Sequence, residues 1–187
     1  FLDNNENTNF TSKIQESGIH LNELLSDSED SEIEHLASSY AKQIMNKTCV
    51  IYGGTELTEL VSSRWKTQIN ENSKAKAFIG SMPEVHHNEI LSWQADKDGS
   101  MENFILIFLR SPFEHPQIKK RFELSEKLLG DKVQILNIFT KESKDELKIL
   151  MELVLLGDLT SIHLADNLNM KPEDIDTIEE LKNLLKG

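Results

Sequence analysis

The chain is short of the residues that mark several function classes. One of its 187 residues is a cysteine, Cys49, so no internal disulfide can form, no thiolate pair is available for a zinc site, and a reducing, cytoplasmic setting is expected. Glycine (8) and proline (4) are scarce, which excludes linker-like or collagen-like composition. The glycine pair Gly53-Gly54 lacks the Gly-Lys that completes a Walker phosphate loop. No apolar run approaches the roughly 20 residues that span a bilayer, and the first residues lack the basic-then-apolar layout of a signal peptide, so no membrane partner is expected. Positive charge is also short, with 20 Lys and Arg facing 32 Asp and Glu. Between Phe1 and Glu34 nine acids stand against Lys13 alone. Such an arm repels phosphate backbones, and no basic stripe elsewhere offsets it, so nucleic acid is not an expected partner.

Apolar material is sufficient. Hydrophobic residues make up 38% of the chain, enough for a packed core without disulfides or metal. The acidic stretch Ser26–Glu32 leads into a helical pattern that runs up to Asn46, and residues 1–39 read as an acidic linker and lead-in helix. From residue 40 to 187, strand and helix patterns alternate. CVIYGG (Cys49–Gly54), AKAFIG (Ala75–Gly80), NFILIFLRS (Asn103–Ser111) and KVQILNIF (Lys132–Phe139) read as strands. Helical spacing covers Leu57–Ile69, a short piece near Asn88–Trp93, and Gln117–Leu129, which Gly130 stops. A Ser143–Glu146 capping box opens an apolar helix, followed by pieces near 160–169 and 177–186, the last with a Thr177–Glu180 capping box. Strands separated by helices pair in parallel. The expected fold is therefore α/β, a three-layer α/β/α sandwich around a mostly parallel sheet of four or five strands.

In such sheets ligands lie beyond the carboxyl ends of the strands, and there the phrase MPEVHHNEI (Met82–Ile90) carries adjacent histidines. His86 and His87 point about 100° apart on a helix, or to opposite faces of a strand, so they are poorly placed to share an ion. No zinc or calcium spacing accompanies them, and no metal is expected. A nucleophilic role for Cys49 is disfavoured by its place inside a buried strand, and no Gly-x-Ser-x-Gly elbow occurs. Acid–base chemistry remains, because imidazole can carry a proton either way near neutral pH and nearby carboxylates can serve as its counterpart. Glu71 is the most interesting carboxylate. It lies in the polar string INENSK at a helix end, where it is either a solvated terminal residue or a base.

Three blocks carry a resemblance: VIYGGTELTELVSSRWKTQINENSKAKAF, then MPEVHHNEILSW, then GDLTSIHLADNLNMKPEDIDTIEELKNLLK. In this order they resemble the C-terminal half of the bifunctional phosphoglucose/phosphomannose isomerases, over about Tyr40 to Lys186. The resemblance implies the second of two tandem sugar isomerase domains, with the N-terminal one missing, and a homodimer with shared sites. It implies a phosphorylated hexose as substrate, interconverted between glucose 6-phosphate or mannose 6-phosphate and fructose 6-phosphate through an enediol, without metal or organic cofactor. Glu71 of Asn-Glu-Asn is the implied base that moves a proton between C1 and C2. His87 is the implied ring-opening group, in the partner subunit's site, and Lys182 assists at the ring oxygen. Glu71 and His87 are expected to reach the same edge of the sheet.

The departures are specific. His86 stands where the family usually carries asparagine and is assigned no role. Lys171-Pro172 replaces an Asp-Pro, and Ile175 replaces a hydroxyl residue ahead of the terminal helix, which weakens the case for Lys182. The Ser- and Thr-rich phosphate loops of the family belong to its first domain, so Arg64 and Arg110 are the available substrate-binding cations and the isolated chain is expected to be nearly inactive. A non-catalytic sugar-phosphate-binding module and a dimerisation scaffold are the alternatives on the same fold.

Overall fold

Four runs rich in β-branched and aromatic residues form the sheet, and the helices between them return each strand to the same starting edge. In this computed structural model, residues 10–26, 31–54, 56–94, 99–140 and 143–186 are described. The strands are β1 (Thr48–Gly53), β2 (Ala77–Ser81), β3 (Phe104–Leu109) and β4 (Gln134–Ile138). All pairings are parallel, in the order β2-β1-β3-β4. The central strands β1 and β3 are buried over all but their first residues, as unbroken apolar runs require when both faces are covered. The three-layer expectation holds, with four strands.

One face of the sheet is covered by α2 (Glu32–Ile44), α3 (Glu56–Ser73) and α5 (Glu146–Leu168), with Trp65, Ile69, Ile149, Leu153 and Leu164 among the buried side chains. α1 (Phe10–Leu25) lies outside them, against α5. The other face is covered by α4 (Pro116–Leu129) and by 3-10 turns at 84–86, 89–94 and 100–103, which enclose Tyr52, Met82, Val85, Trp93, Phe108 and Phe122. The short helix expected near 88–93 is present as a 3-10 helix over Glu89–Gln94. The expected boundary at residue 40 falls inside α2, whose Ile33 and Ala37 are already in the core. Of the acidic stretch before it, residues 27–30 lie outside the described residues.

Two capping expectations and one helix break are corrected. Asp145, not Ser143, caps α5 by accepting from the Leu147 amide at 2.9 Å, while Ser143 Oγ accepts from the Asp145 amide. α5 then continues unbroken to Leu168 through Gly157. A Cβ there would meet the Trp65 indole nitrogen at 2.3 Å, so the glycine is demanded by packing, and the separate piece expected near 160–169 is the second half of α5. The last helix, α6 (Asp176–Leu184), has Ile175 at its N-cap without a side-chain bond. Thr177 therefore sits inside the first turn and cannot close the expected box.

Candidate active site

Glu71 lies in the last turn of α3, between two asparagines with different duties. Asn70 Nδ2 donates to the Ala75 carbonyl at 2.8 Å, closing the turn into β2. Asn72 Nδ2 donates to Ser161 Oγ of α5 at 2.8 Å and also to Gln68 Oε1. Both flanking amides are thereby consumed by the fold, and each bond contributes on the order of 1 kcal/mol. Glu71 points out from between them, exposed. Lys74, in the left-handed region at φ 56°, ends the helix and donates its amine to the carbonyls of Glu71 and Pro172. That contact fastens the segment leading to α6 beside the end of α3.

His87 is held by the same logic. Its neighbour His86 is committed to α4. Arg121 can only donate, so His86 Nδ1 must accept from it, at 3.1 Å. The proton then sits on Nε2 and is donated to Ser125 Oγ at 2.8 Å, while Ser125 donates to the Arg121 carbonyl. Burial first, then the charges of Arg121 and His87, hold the His86 pKa below its ordinary value. His86 is a neutral strut. On the other side, Glu89 Oε1 accepts from the Tyr52 hydroxyl at 2.8 Å, and that oxygen accepts from Trp93 Nε1 at 3.1 Å. Burial and the Glu89 carboxylate push the Tyr52 phenol far up, so it stays a donor. Between these anchors the His87 amide closes a turn on Glu84, and its imidazole is exposed.

The topology corrects the expected meeting of Glu71 and His87. α3 leaves the carboxyl end of β1 and spans roughly 27 Å at 1.5 Å per residue before β2 begins. Glu71 is therefore at the amino-end edge of the sheet. His87 follows β2 and lies at the opposite, carboxyl-end edge. Within one chain the two do not share an edge. Because both are exposed, two copies can still bring them together.

The other expected residues divide. Lys182 is exposed on α6, which buries none of its residues. Arg64 forms a two-pronged bond with Asp158 of α5 at 3.0 and 2.8 Å. Asp158, by hydrogen bonding, and the more distant charge of Glu71 push its pKa up, as expected of a cation seven residues from Glu71 on the same helix side. Arg110 is buried. Its Nε and Nη2 bind the Glu114 carboxylate at 2.8 and 2.9 Å, and its plane stacks between Phe122 and Phe139. A guanidinium neutralised and covered in this way positions the β3–α4 turn and has little left for a phosphate. Sequence reading did not single out Asn72, Ser161, Tyr52, Glu89 or Ser125. The asparagine pair was a local signal, whereas the partners of Tyr52 and His86 lie dozens of residues away.

The described residues form a parallel α/β/α domain with an exposed acid, Glu71, at one edge of the sheet and an exposed imidazole, His87, at the other. Residues 33–185 match the family described as bacterial phospho-glucose isomerase C-terminal SIS domain, and the chain belongs to that family. It is 32% identical over 170 residues to the bifunctional phosphoglucose/phosphomannose isomerase of Aquifex aeolicus, covering 87% of this chain and 52% of the relative. It is 31% identical to the protein of the same name from Caldicellulosiruptor bescii, covering 82% and 45%. The chain thus spans about half the length of these relatives. A crystal structure of a glucose-6-phosphate isomerase like protein from Thermus thermophilus shares the fold, with a TM-score of 0.58 at 12% identity over 74% of this chain and 45% of that one.

Proposed function

We propose that the chain is the C-terminal domain of an aldose–ketose isomerase that interconverts glucose 6-phosphate, mannose 6-phosphate or both with fructose 6-phosphate. Carrying this reading is the isolation of Glu71 and His87: each is exposed between neighbours that the fold has consumed. Abstracting a proton alpha to a carbonyl needs a carboxylate free to swing between C1 and C2, and Glu71 has no hydrogen bond or ion pair to its side chain among the described residues. The proton taken from C2 of the open-chain aldose is returned to C1 of the enediol, which gives the ketose with no net redox change. Ring opening needs a separate group at the hemiacetal oxygens, supplied by His87 of a second copy, with Lys182 assisting. Arg64, on the side of α3 that carries Glu71, serves as a substrate-binding cation if it exchanges its Asp158 partner for the substrate. The phosphate is held by an N-terminal domain of the kind the relatives' length allows, so this chain alone turns over little.

The test is Glu71→Gln in the polypeptide extended to the relatives' length. Turnover of fructose 6-phosphate falls by about three orders of magnitude or more while hexose-phosphate binding persists. Unchanged turnover would remove Glu71 as the base, and ligand binding without turnover in the unaltered extended polypeptide would leave a binding module as the better reading.

A further inference from the structure

Three non-glycine residues among those described have a left-handed backbone: Asn46 at φ 62°, Lys74 at φ 56° and Asn169 at φ 53°. Asparagine is an ordinary occupant of that region, because its short amide can bond to nearby backbone, whereas lysine has no such compensation. A lysine standing there calls for a reason in its side chain. Its amine donates to the Glu71 carbonyl at 2.5 Å and to the Pro172 carbonyl at 3.2 Å, two of the three bonds that an ammonium can give. The first closes the end of α3, as lysines near helix ends do. The second leaves the helix altogether and reaches 98 residues along the chain.

What it reaches is the turn that launches α6. α5 starts at the carboxyl-end edge after β4, and its 23 residues span roughly 34 Å back across the sheet. α6 therefore begins at the amino-end edge, where Glu71 stands. It buries none of its nine residues, and Leu181 and Leu184 are 56% and 73% exposed. A helix this short takes its place from what holds its ends. Its lead-in is the turn closed by the Asp174 amide on the Lys171 carbonyl at 3.1 Å, and Pro172 lies inside that turn. We propose that Lys74 is a positioning residue: one amine sets the turn before α6 against the Glu71 backbone, and so fixes where Lys182 stands relative to the acid. Without the amine, α6 swings about the end of α5. The registration itself is independent of the isomerase reading; its catalytic consequence rests on that reading, since the base and the lysine must meet one substrate.

A distance measurement and a turnover measurement test it together. Ser63 on α3 and Leu184 on α6 are exposed, and the native Cys49 is buried, so Ser63→Cys with Leu184→Cys takes two spin labels. Dilution with unlabelled chain keeps each measured pair within one molecule. With Lys74 in place, pulsed electron resonance gives one narrow distance. Lys74→Gly suits a left-handed backbone, so the unfolding midpoint holds while the narrow peak is lost. Lys74→Arg, which still donates, retains the peak. In the polypeptide extended to the relatives' length, Lys74→Gly lowers kcat about tenfold with KM little changed, and Lys74→Arg retains most of the activity. A broad distribution with Lys74 intact overturns the proposal, as does a narrow one in Lys74→Gly, or an extended Lys74→Gly protein that turns over like its parent. The expected distances in a chain whose extended form never isomerises hexose phosphate would sink the isomerase reading and leave the registration standing.

Discussion

Each candidate side chain owes its freedom to neighbours that have none. His86 shows this through its titration. Its folded-state pKa lies below the unfolded value of about 6.5, so its stabilisation is complete above that pH and is lost as pH falls through the lowered value. His86→Ala is predicted to cost about 1–2 kcal/mol at pH 7.5, and the gap between variant and parent in urea unfolding should shrink toward pH 5. A gap that widens on acidification would mean the imidazole is charged in the fold. Tyr52→Phe removes a buried hydroxyl that joins Glu89 to Trp93. It should cost about 1–3 kcal/mol and change Trp93 fluorescence, with kcat of the extended protein falling more than KM rises. The polar string INENSK marked Glu71 as a carboxylate at a helix end, where it is locally disfavoured, and only the family resemblance gave it the part of a base. Nothing local could announce His86, because Arg121 and Ser125 reach it from a helix that begins thirty residues later.

At the scale of elements, strands were the most legible. β3 and β1 read as buried because nothing in FILIFL or CVIY alternates, and only a strand covered on both faces tolerates that. Helix ends were the least legible. The helical piece expected near 160–169 is continuous with α5, and Gly157 within it is the notch that admits Trp65, whose indole donates to the Leu153 carbonyl at 2.8 Å. Gly157→Ala is predicted to destabilise by about 1–3 kcal/mol or more, read as a lower denaturation midpoint with a shift in Trp65 emission. Improvement of stability, as ordinary helix propensity would give, would contradict the packing. Asn72 ties the end of α3 to Ser161, so Asn72→Ala should loosen the base as well as the fold. A loss of about 1 kcal/mol in stability is expected alongside about a tenfold fall in kcat of the extended protein.

For the whole molecule, topology decides what one copy can do. Parallel connections send α3 from one edge of the sheet to the other, and so they separate the acid from the imidazole that the sequence reading expected at one edge. The family likeness assigned the pair but could not show which edge each occupies, because edges belong to the path of the chain and not to any motif. Turnover of fructose 6-phosphate by the isolated chain should be close to background, since this half offers no uncommitted phosphate cradle of its own among the described residues; efficient turnover in a dehydrogenase-coupled assay would contradict that.

Complementation is the most direct measurement of the shared site. Glu71→Gln and His87→Ala forms of the extended polypeptide, each nearly inactive alone, are mixed, dissociated and reassociated. Heterodimers then hold one intact site and one doubly altered site, so activity should return to about a quarter of the parent value at equal mixing. Should the mixture stay as inactive as its components while heterodimers form, the acid and the imidazole do not work across copies and the account is wrong.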